Sequence, residues 1–419
     1  MQESKLTKLQ QSKISRRTIF GAVAGLGWAA LEQAEGAAQQ QDRNAPVRAR
    51  EPLKITRLET FLVKPRWLFL KVHTDAGIVG LGEPITEGRA ITCAAAVKEI
   101  EPYLIGKDPR QVVHHWQAIY RHAFYRGGPI LTSALSGIDL ALWDIKGKAL
   151  GIPVYEMFGG PTRNRVRVYS HARTPEKMKE DMAAGFRAFK TGPAKRRPSR
   201  YVETQAEVEY AVEKFAELRS TVGKDVDIGI DFHGAISPAT AKLLIKGYEP
   251  YHPFFIEEPC QAQNHDVMAE IARGTHLPIA TGERVFTKWG FREVLEKQAA
   301  TILQPDLCHA GGITECRLIA GMAEAYYASV APHNPLGPIS LAAGVQLAAS
   351  IPNFLIQEQV SLGEGYIKQP FRVRDGFLEL PTGPGLGIEL DENAMADKIG
   401  HDWRNPETYD ADDGSVVDW

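Results

Sequence analysis

Beyond residue 160 this chain keeps one rhythm almost to residue 360. Short β-rich runs, at 166–170, 188–191, 226–231, 254–257, 278–281, 301–304, 328–331 and 354–357, alternate with amphipathic stretches. Eight strand signals separated by helical ones, at intervals near the length of one strand-helix unit, predict an α/β chain whose strands close into a (β/α)8, TIM-like barrel over 161–380. Chemistry in such a barrel sits at the carboxyl ends of the strands, so the polar residues that end each run carry the functional information.

The segment before the barrel follows a different pattern. Residues 54–75 alternate like antiparallel strands, as in Trp67-Leu68-Phe69-Leu70-Lys71-Val72-His73, with Asp75-Ala76-Gly77 as the turn and Val79-Gly80-Leu81-Gly82-Glu83 continuing the sheet. Helical periodicity follows over 90–104 and 131–150. Residues 51–160 are therefore expected to form an α+β unit. A chain of 419 residues, 44% hydrophobic and 24% charged, is long and apolar enough for a barrel with such a unit appended. From 381 to 419 the sequence is Gly/Pro-rich and polar, and is expected to return to the first unit.

Residues 1–50 differ in kind. Ser15-Arg16-Arg17-Thr18-Ile19-Phe20 leads into an apolar run over 19–31, then Ala34-Glu35-Gly36-Ala37-Ala38 and a Gln-rich linker. Basic, apolar and small-residue regions in that order predict a signal peptide followed by a disordered linker. The paired arginines point to the twin-arginine route for proteins exported already folded, hence to a periplasmic location, with the cytoplasm as the alternative. The apolar run is too short to span a membrane. A net charge of −2 gives no footprint for nucleic acid or an anionic membrane, and Lys195-Arg196-Arg197 reads as a solvated loop. Cys93, Cys260, Cys308 and Cys316 are scattered outside any C-x-x-C spacing and read as buried small hydrophobes.

Three carboxylates end apolar runs: Asp231 in Ile228-Gly229-Ile230-Asp231, Glu257 in Phe255-Ile256-Glu257, and Glu283 in Ile279-Ala280-Thr281-Gly282-Glu283. They stand 26 residues apart in each interval. One strand-helix repeat per interval puts all three at similar height on neighbouring strands, converging on the barrel axis. Like charges so placed call for a cation, and an all-oxygen donor set with room for water and substrate favours magnesium over zinc. Consecutive side chains on a strand point to opposite sides, so Glu257 is assigned to the metal and Glu258 to a supporting hydrogen bond or ion pair.

Two histidines lie beside this set. His233 follows Asp231 by two residues, and His333, in Ala331-Pro332-His333-Asn334-Pro335, ends the seventh run. Asp306, in Gln304-Pro305-Asp306, ends the sixth run and so neighbours the seventh. An aspartate beside a histidine fixes its tautomer and raises its basicity, which makes His333 with Asp306 a base candidate and His233 an independent acid candidate. Glu358, ending the eighth run, could donate to a developing oxyanion if protonated, or pair with a neighbour.

With these motifs the sequence resembles the enolase superfamily, in its mandelate racemase subgroup, and within that the D-galactonate dehydratases. Further matching segments are Gly282-Glu283-Arg284, His309-Ala310-Gly311-Gly312-Ile313-Thr314-Glu315, Leu336-Gly337-Pro338-Ile339 and Gln357-Glu358-Gln359. The resemblance runs from about 52 to 391 and implies that 51–160 is a capping domain and the barrel a modified one. It implies magnesium on Asp231, Glu257 and Glu283, His333 as base with Asp306 as its partner, His233 as acid, Glu358 as transition-state stabiliser, and a homo-oligomer. The chain departs from racemases of the subgroup at the second strand end, where Lys190-Thr191-Gly192 keeps one lysine of a Lys-x-Lys pair. The residues that follow, 193–201, are basic and interrupted by proline.

The expected reaction is removal of the C2 proton and 3-hydroxyl of an aldonic acid, galactonate-like, to give a 2-keto-3-deoxy acid. One base with one acid fits a dehydratase better than a two-base racemase. A dehydratase of gluconate, fuconate or arabinonate, a racemase or epimerase, and an exported sugar-acid binding protein stand as alternatives.

Overall fold

The structure, a computed structural model, describes residues 51–418, and the expected export signal lies outside the described residues. The described chain opens with an antiparallel meander, β1 (Ile55–Val63), β2 (Trp67–Thr74) and β3 (Val79–Gly82). Four consecutive residues of β2, Trp67 to Leu70, are buried. Helices α1 (Ala90–Leu104), α2 (Val112–His122) and α3 (Pro129–Leu150) follow, α3 against β3 and α1 against β1. A Cβ on Gly82 would stand 2.0 Å from the Gly137 carbonyl oxygen. Glycine there lets sheet and helix meet at backbone contact. The helix α2 has no counterpart in the periodicity reading.

The barrel begins with β4 (Arg165–Arg167) and β5 (Ser170–His171), followed by α4 (Pro175–Ala183), β6 (Ala188–Thr191), α5 (Gln205–Val222), β7 (Asp227–Asp231), α6 (Pro238–Tyr248) and β8 (Ile256–Glu257). It continues through α7 (His265–Arg273), β9 (Ile279–Thr281), α8 (Thr287–Glu296), β10 (Ile302–Leu303), α9 (Gly312–Ala325), β11 (Ser329–Val330) and α10 (Pro338–Ser350). Strands β5 to β11 form one parallel sheet in chain order. Residues 353–358 close it by single parallel bridges, Val330 to Phe354 on one side and Val168 to Gln357 on the other. The eighth run therefore completes the barrel without making a ladder. The first run divides: β4 pairs antiparallel with a hairpin of β12 (Val373–Arg374) and β13 (Phe377–Glu379), and only β5 joins the parallel sheet. Tyr169, Ala188, Phe255, Ala280, Ile302, Ala331 and Ile356 fill the interior, a packed core as expected of such a barrel. All four cysteines are free and buried.

Four barrel helices start on their own side-chain caps: Thr174, Thr204, Ser237 and Asn264 accept from the backbone N–H three residues on, each worth about 1 kcal/mol. Helices α9 and α10 lack such a cap. Carboxylates of the N-terminal unit replace it. Asp139 of α3 accepts from Thr314 N at 3.0 Å and from Thr314 Oγ1 at 2.5 Å, and Glu83 accepts from Gly337 N at 2.7 Å and Ser340 N at 3.0 Å. Both are buried, so two helix N-termini without side-chain caps of their own and two buried carboxyl groups satisfy one another's hydrogen bonds. The C-terminal residues bond to the first sheet, Lys64 N to Lys398 O and Gly400 N to Leu62 O, both at 2.9 Å.

Candidate active site

Register does most of the positioning. Asp231 and Glu257 are direct partners across β7 and β8, and Lys190 pairs with Gly229 across β6 and β7. Glu283 stands two residues beyond the end of β9, past Gly282 at φ 153°. A Cβ on Gly282 would lie 2.6 Å from backbone atoms of Gln304, so glycine alone lets the chain turn there. His233 leaves β7 with φ 52° and its N–H bonded to Asp231 Oδ1 at 2.8 Å.

Lys190 sits among the carboxylates. Its Nζ is 3.1 Å from Asp231 Oδ2, 3.1 Å from Glu257 Oε1 and 2.8 Å from Glu358 Oε1. Gln304 Nε2 donates to Glu257 Oε2 at 2.7 Å. On one side His233 Nε2 is 3.0 Å from Asp231 Oδ2. On the other, His333 Nε2 is 3.0 Å from Glu283 Oε2 and 3.9 Å from Glu358 Oε2, while its Nδ1 lies 2.8 Å from Asp306 Oδ2. Glu358 also meets His171 Nε2 at 2.6 Å and accepts from Asn334 N at 2.8 Å. All seven residues singled out in the sequence therefore meet at one end of the barrel, with Glu257 joined to the rest through Lys190. Glu258 turns away at φ 41° and pairs with Arg284, Oε2 to Nη2 2.5 Å.

The charges are mutually set. Burial would raise Asp231, but Lys190 and His233 hold it below the usual carboxylate range. Burial raises Glu257 to about 8, with Asp231 adding repulsion against the pull of Lys190. Glu283 falls to about 2 despite burial because His333 faces it. His333 in turn is held well above its ordinary value, against burial, by Glu358, Glu283 and Asp306. Lys190 and His333 hold the buried Glu358 well below its ordinary value.

Oxygen donors are in excess over the cations that face them, and Asp231, His233 and Glu283 bring ligand atoms within 4.8 Å of one another. Two of these donors are carboxylates, as a hard divalent ion requires, whereas Glu257 stands outside the group with its oxygens on Lys190 and Gln304. Asp306, His309 and His333 form a second such group, in which His309 Nε2 is buried without a hydrogen bond. Two cavities open onto the site. One of about 490 Å³ is lined by His171, Arg173, Lys190, Lys195, Asp231 and His233. Another of about 460 Å³ lies between Thr86 and Glu87 of the N-terminal unit and His233, Glu283, His309 and His333 of the barrel.

The sequence names Lys190 only as a retained lysine, quotes Gln304 without a role, and does not single out His171. A lysine inside the fully buried strand β6 was the available signal, since a buried ammonium demands carboxylate partners. His171 ends a two-residue strand, too short for any periodic signal.

Comparison with known proteins agrees with this geometry. Residues 173–394 match the enolase C-terminal domain-like family, and 40–159 match the mandelate racemase / muconate lactonizing enzyme N-terminal domain. A D-galactonate dehydratase from Ralstonia pickettii is 49% identical over 88% of this chain and 100% of its own length. One from Pectobacterium atrosepticum is 46% identical over the same shares, 88% and 100%. Among solved structures, a member of the enolase superfamily from Salmonella Typhimurium matches with TM-score 0.78 and 31% identity, covering 83% of this chain and 98% of that one. An enolase from Agrobacterium radiobacter, with bound sodium and L-malate, matches with TM-score 0.80 and 32% identity over 87% and 99%. Sheet order, the strand-end constellation and these matches lead to one assignment: the chain belongs to the enolase superfamily, with the N-terminal and barrel domains of its mandelate racemase and muconate lactonizing branch.

Proposed function

We propose that this protein is a magnesium-dependent dehydratase that converts a galactonate-like aldonic acid to its 2-keto-3-deoxy acid. The broader statement, that it is a hydro-lyase acting on a sugar acid, rests on its D-galactonate dehydratase relatives. Malate, carried by one solved relative, is itself a 2-hydroxy acid. The observation that carries the finer reading is the pair of imidazoles flanking the carboxylates, His233 beside Asp231 and His333 beside Glu283, each at 3.0 Å.

In this reading Asp306 fixes the His333 tautomer that points Nε2 toward substrate, and Nε2 removes the C2 proton. The electron pair of the C2–H bond moves toward the carboxylate to give an enediolate, and then returns to form the C2–C3 double bond as the C3–O bond breaks. His233 gives its proton to the departing hydroxyl, and the enol product tautomerises to the keto acid. Asp231, Glu257 and Glu283 would hold magnesium, whose charge when bound stabilises the enediolate that imidazole could not otherwise generate. Because Lys190, His333 and His171 keep Glu358 ionised, its role is to hold Lys190 and His171 in place. Export by the twin-arginine route belongs to the same reading and would put the reaction outside the cytoplasm.

Proton exchange tests it. His333→Asn should abolish exchange of the substrate C2 proton with solvent deuterium. His233→Asn should keep exchange while loss of water drops by about a hundredfold or more. Equal exchange in wild type and His333→Asn would remove His333 from the role.

A further inference from the structure

We propose that residues 403–418 form a third wall of the substrate cavity, and that Asp418 accepts from the hydroxyl groups a sugar acid carries beyond C3, so that the length of the acid becomes a criterion of selection. The inference rests on the sugar-acid reading and deepens it.

The 460 Å³ cavity beside the two imidazoles takes its lining from three parts of the chain. Thr86, Glu87 and Pro129 come from the N-terminal unit, His233, Glu283 and His333 from the barrel, and Asn405 and Asp418 from the last described residues. These last are fastened on both sides. Toward the N-terminal unit, the Arg66 guanidinium lies 5.5 Å from the centre of the Trp403 ring, and Asn405 packs against Gly88 where any Cβ would collide with its amide. Toward the barrel, Tyr409 and Val416 pair antiparallel, Asp410 N donates to Ser415 O at 2.8 Å and Val417 N to Thr408 O at 3.2 Å, which makes a hairpin. Its turn carries Asp410 and Asp412, and Arg200 holds both: Nε donates to Asp410 Oδ2 at 2.7 Å, Nη2 to Asp410 Oδ1 at 3.1 Å and to Asp412 Oδ2 at 2.6 Å. A guanidinium with two bonds to one carboxylate fixes direction as well as distance. Arg200 is itself held, its backbone N donating to Glu203 Oε1 at 2.8 Å while Glu203 Oε2 accepts from Arg197 at 2.8 Å. The basic loop after β6 is thus the hairpin's anchor, and the returning strand of the hairpin leads to Asp418 at the cavity.

In the proposed reaction the two imidazoles serve C2 and C3. Beyond C3 an aldonic acid offers hydroxyl groups, each a donor in want of an acceptor. Of the carboxylates that line this cavity, Glu87 is engaged by Arg66 and Glu283 by His333, each at 3.0 Å. Asp418 makes no ion pair among the described residues. An ionised carboxylate can accept from two neighbouring hydroxyls at once, and a few polar groups so placed orient a ligand in its pocket.

The test compares D-galactonate with L-threonate, which repeats its configuration at C2 and C3 and stops at C4, on the magnesium-loaded full chain. Asp418→Ala should raise KM for D-galactonate about tenfold, with a smaller change in kcat, and lose about twofold in kcat/KM on L-threonate. Arg200→Met, a change at a positioning residue, should repeat that pattern. Asp418→Asn keeps one acceptor oxygen and should recover part of the loss. Calorimetric binding of both acids to His333→Asn, with and without Asp418→Ala, gives a readout independent of turnover. Equal losses on the two acids, or no loss on D-galactonate, overturn the inference, and a wild-type KM in Arg200→Met overturns the anchor. If Asp418→Ala weakens the binding of D-galactonate alone while wild type dehydrates neither acid, the wall stands and the dehydratase reading falls. If wild type dehydrates D-galactonate and Asp418→Ala leaves its KM unchanged, the reverse holds.

Discussion

Replacing Lys190 by methionine would leave Asp231, Glu257 and Glu358 facing one another with no ammonium between them, where Lys190 now sits within 3.1 Å of each. An uncompensated buried charge of this kind costs on the order of 3–5 kcal/mol. Lys190→Met should therefore unfold at markedly lower urea than wild type in chelator. Magnesium should recover part of the loss if the proposed ligands hold it. Equal destabilisation with and without magnesium would argue against that ligand set. The site's legibility in sequence follows the same division. Asp231, Glu257 and Glu283 were visible because each ends an apolar run one repeat after the last, a spacing that survives without coordinates. What the carboxylates pair with was not visible, since Lys190, Gln304 and His171 reach Asp231, Glu257 and Glu358 across 41 to 187 residues of chain.

Helices α9 and α10 follow the two strands that present Asp306 and His333, and their N-termini are held by Asp139 and Glu83 of the other domain. Burial raises Glu83 to about 8 against the pull of two backbone N–H groups. A carboxyl whose folded pKa lies above its unfolded value binds protons more tightly when folded. Its contribution to stability is full below the unfolded value and is lost as pH rises through the folded one. Wild type should thus lose stability relative to Glu83→Gln between about pH 5 and 9, by on the order of a few kcal/mol. Urea unfolding across that range measures it, and a difference independent of pH would put the proton elsewhere. At pH 7 the amide replaces an acceptor with a donor facing an N–H, so the turn after His333 should shift and kcat should fall more than KM rises. Elements of this kind escape sequence reading for a definite reason. Periodicity marks a helix such as Ala90–Leu104 by its own buried face, whereas a cap supplied from 175 or 254 residues away leaves no local trace. The split of the first barrel run was equally hidden, because Val166 and Val168 are buried alike whether they pair with the hairpin or with the barrel.

The first sheet is completed last. Val63 of β1 bridges Ile399, and Lys64 and Leu62 bond to Lys398 and Gly400, so residues more than 330 positions apart close one sheet edge. Gly385 bonds to Ile152 and Val154, and Leu386 N donates to the buried Asp144. Contacts of such separation form slowly and only once the whole chain is available. A chain so connected folds only when complete, so if it is exported as proposed, passage in the unfolded state would carry every one of these closures across the membrane unmade. The paired Arg16 and Arg17 suit the alternative proposed above, in which folding finishes before export. Conservative replacement of both arginines by lysine should then hold the enzyme in the cytoplasm, folded and with kcat unchanged. Osmotic-shock fractionation followed by a 2-keto acid assay reads the outcome. Undiminished activity in the periplasmic fraction of the double variant would separate this chain's route from its arginine pair.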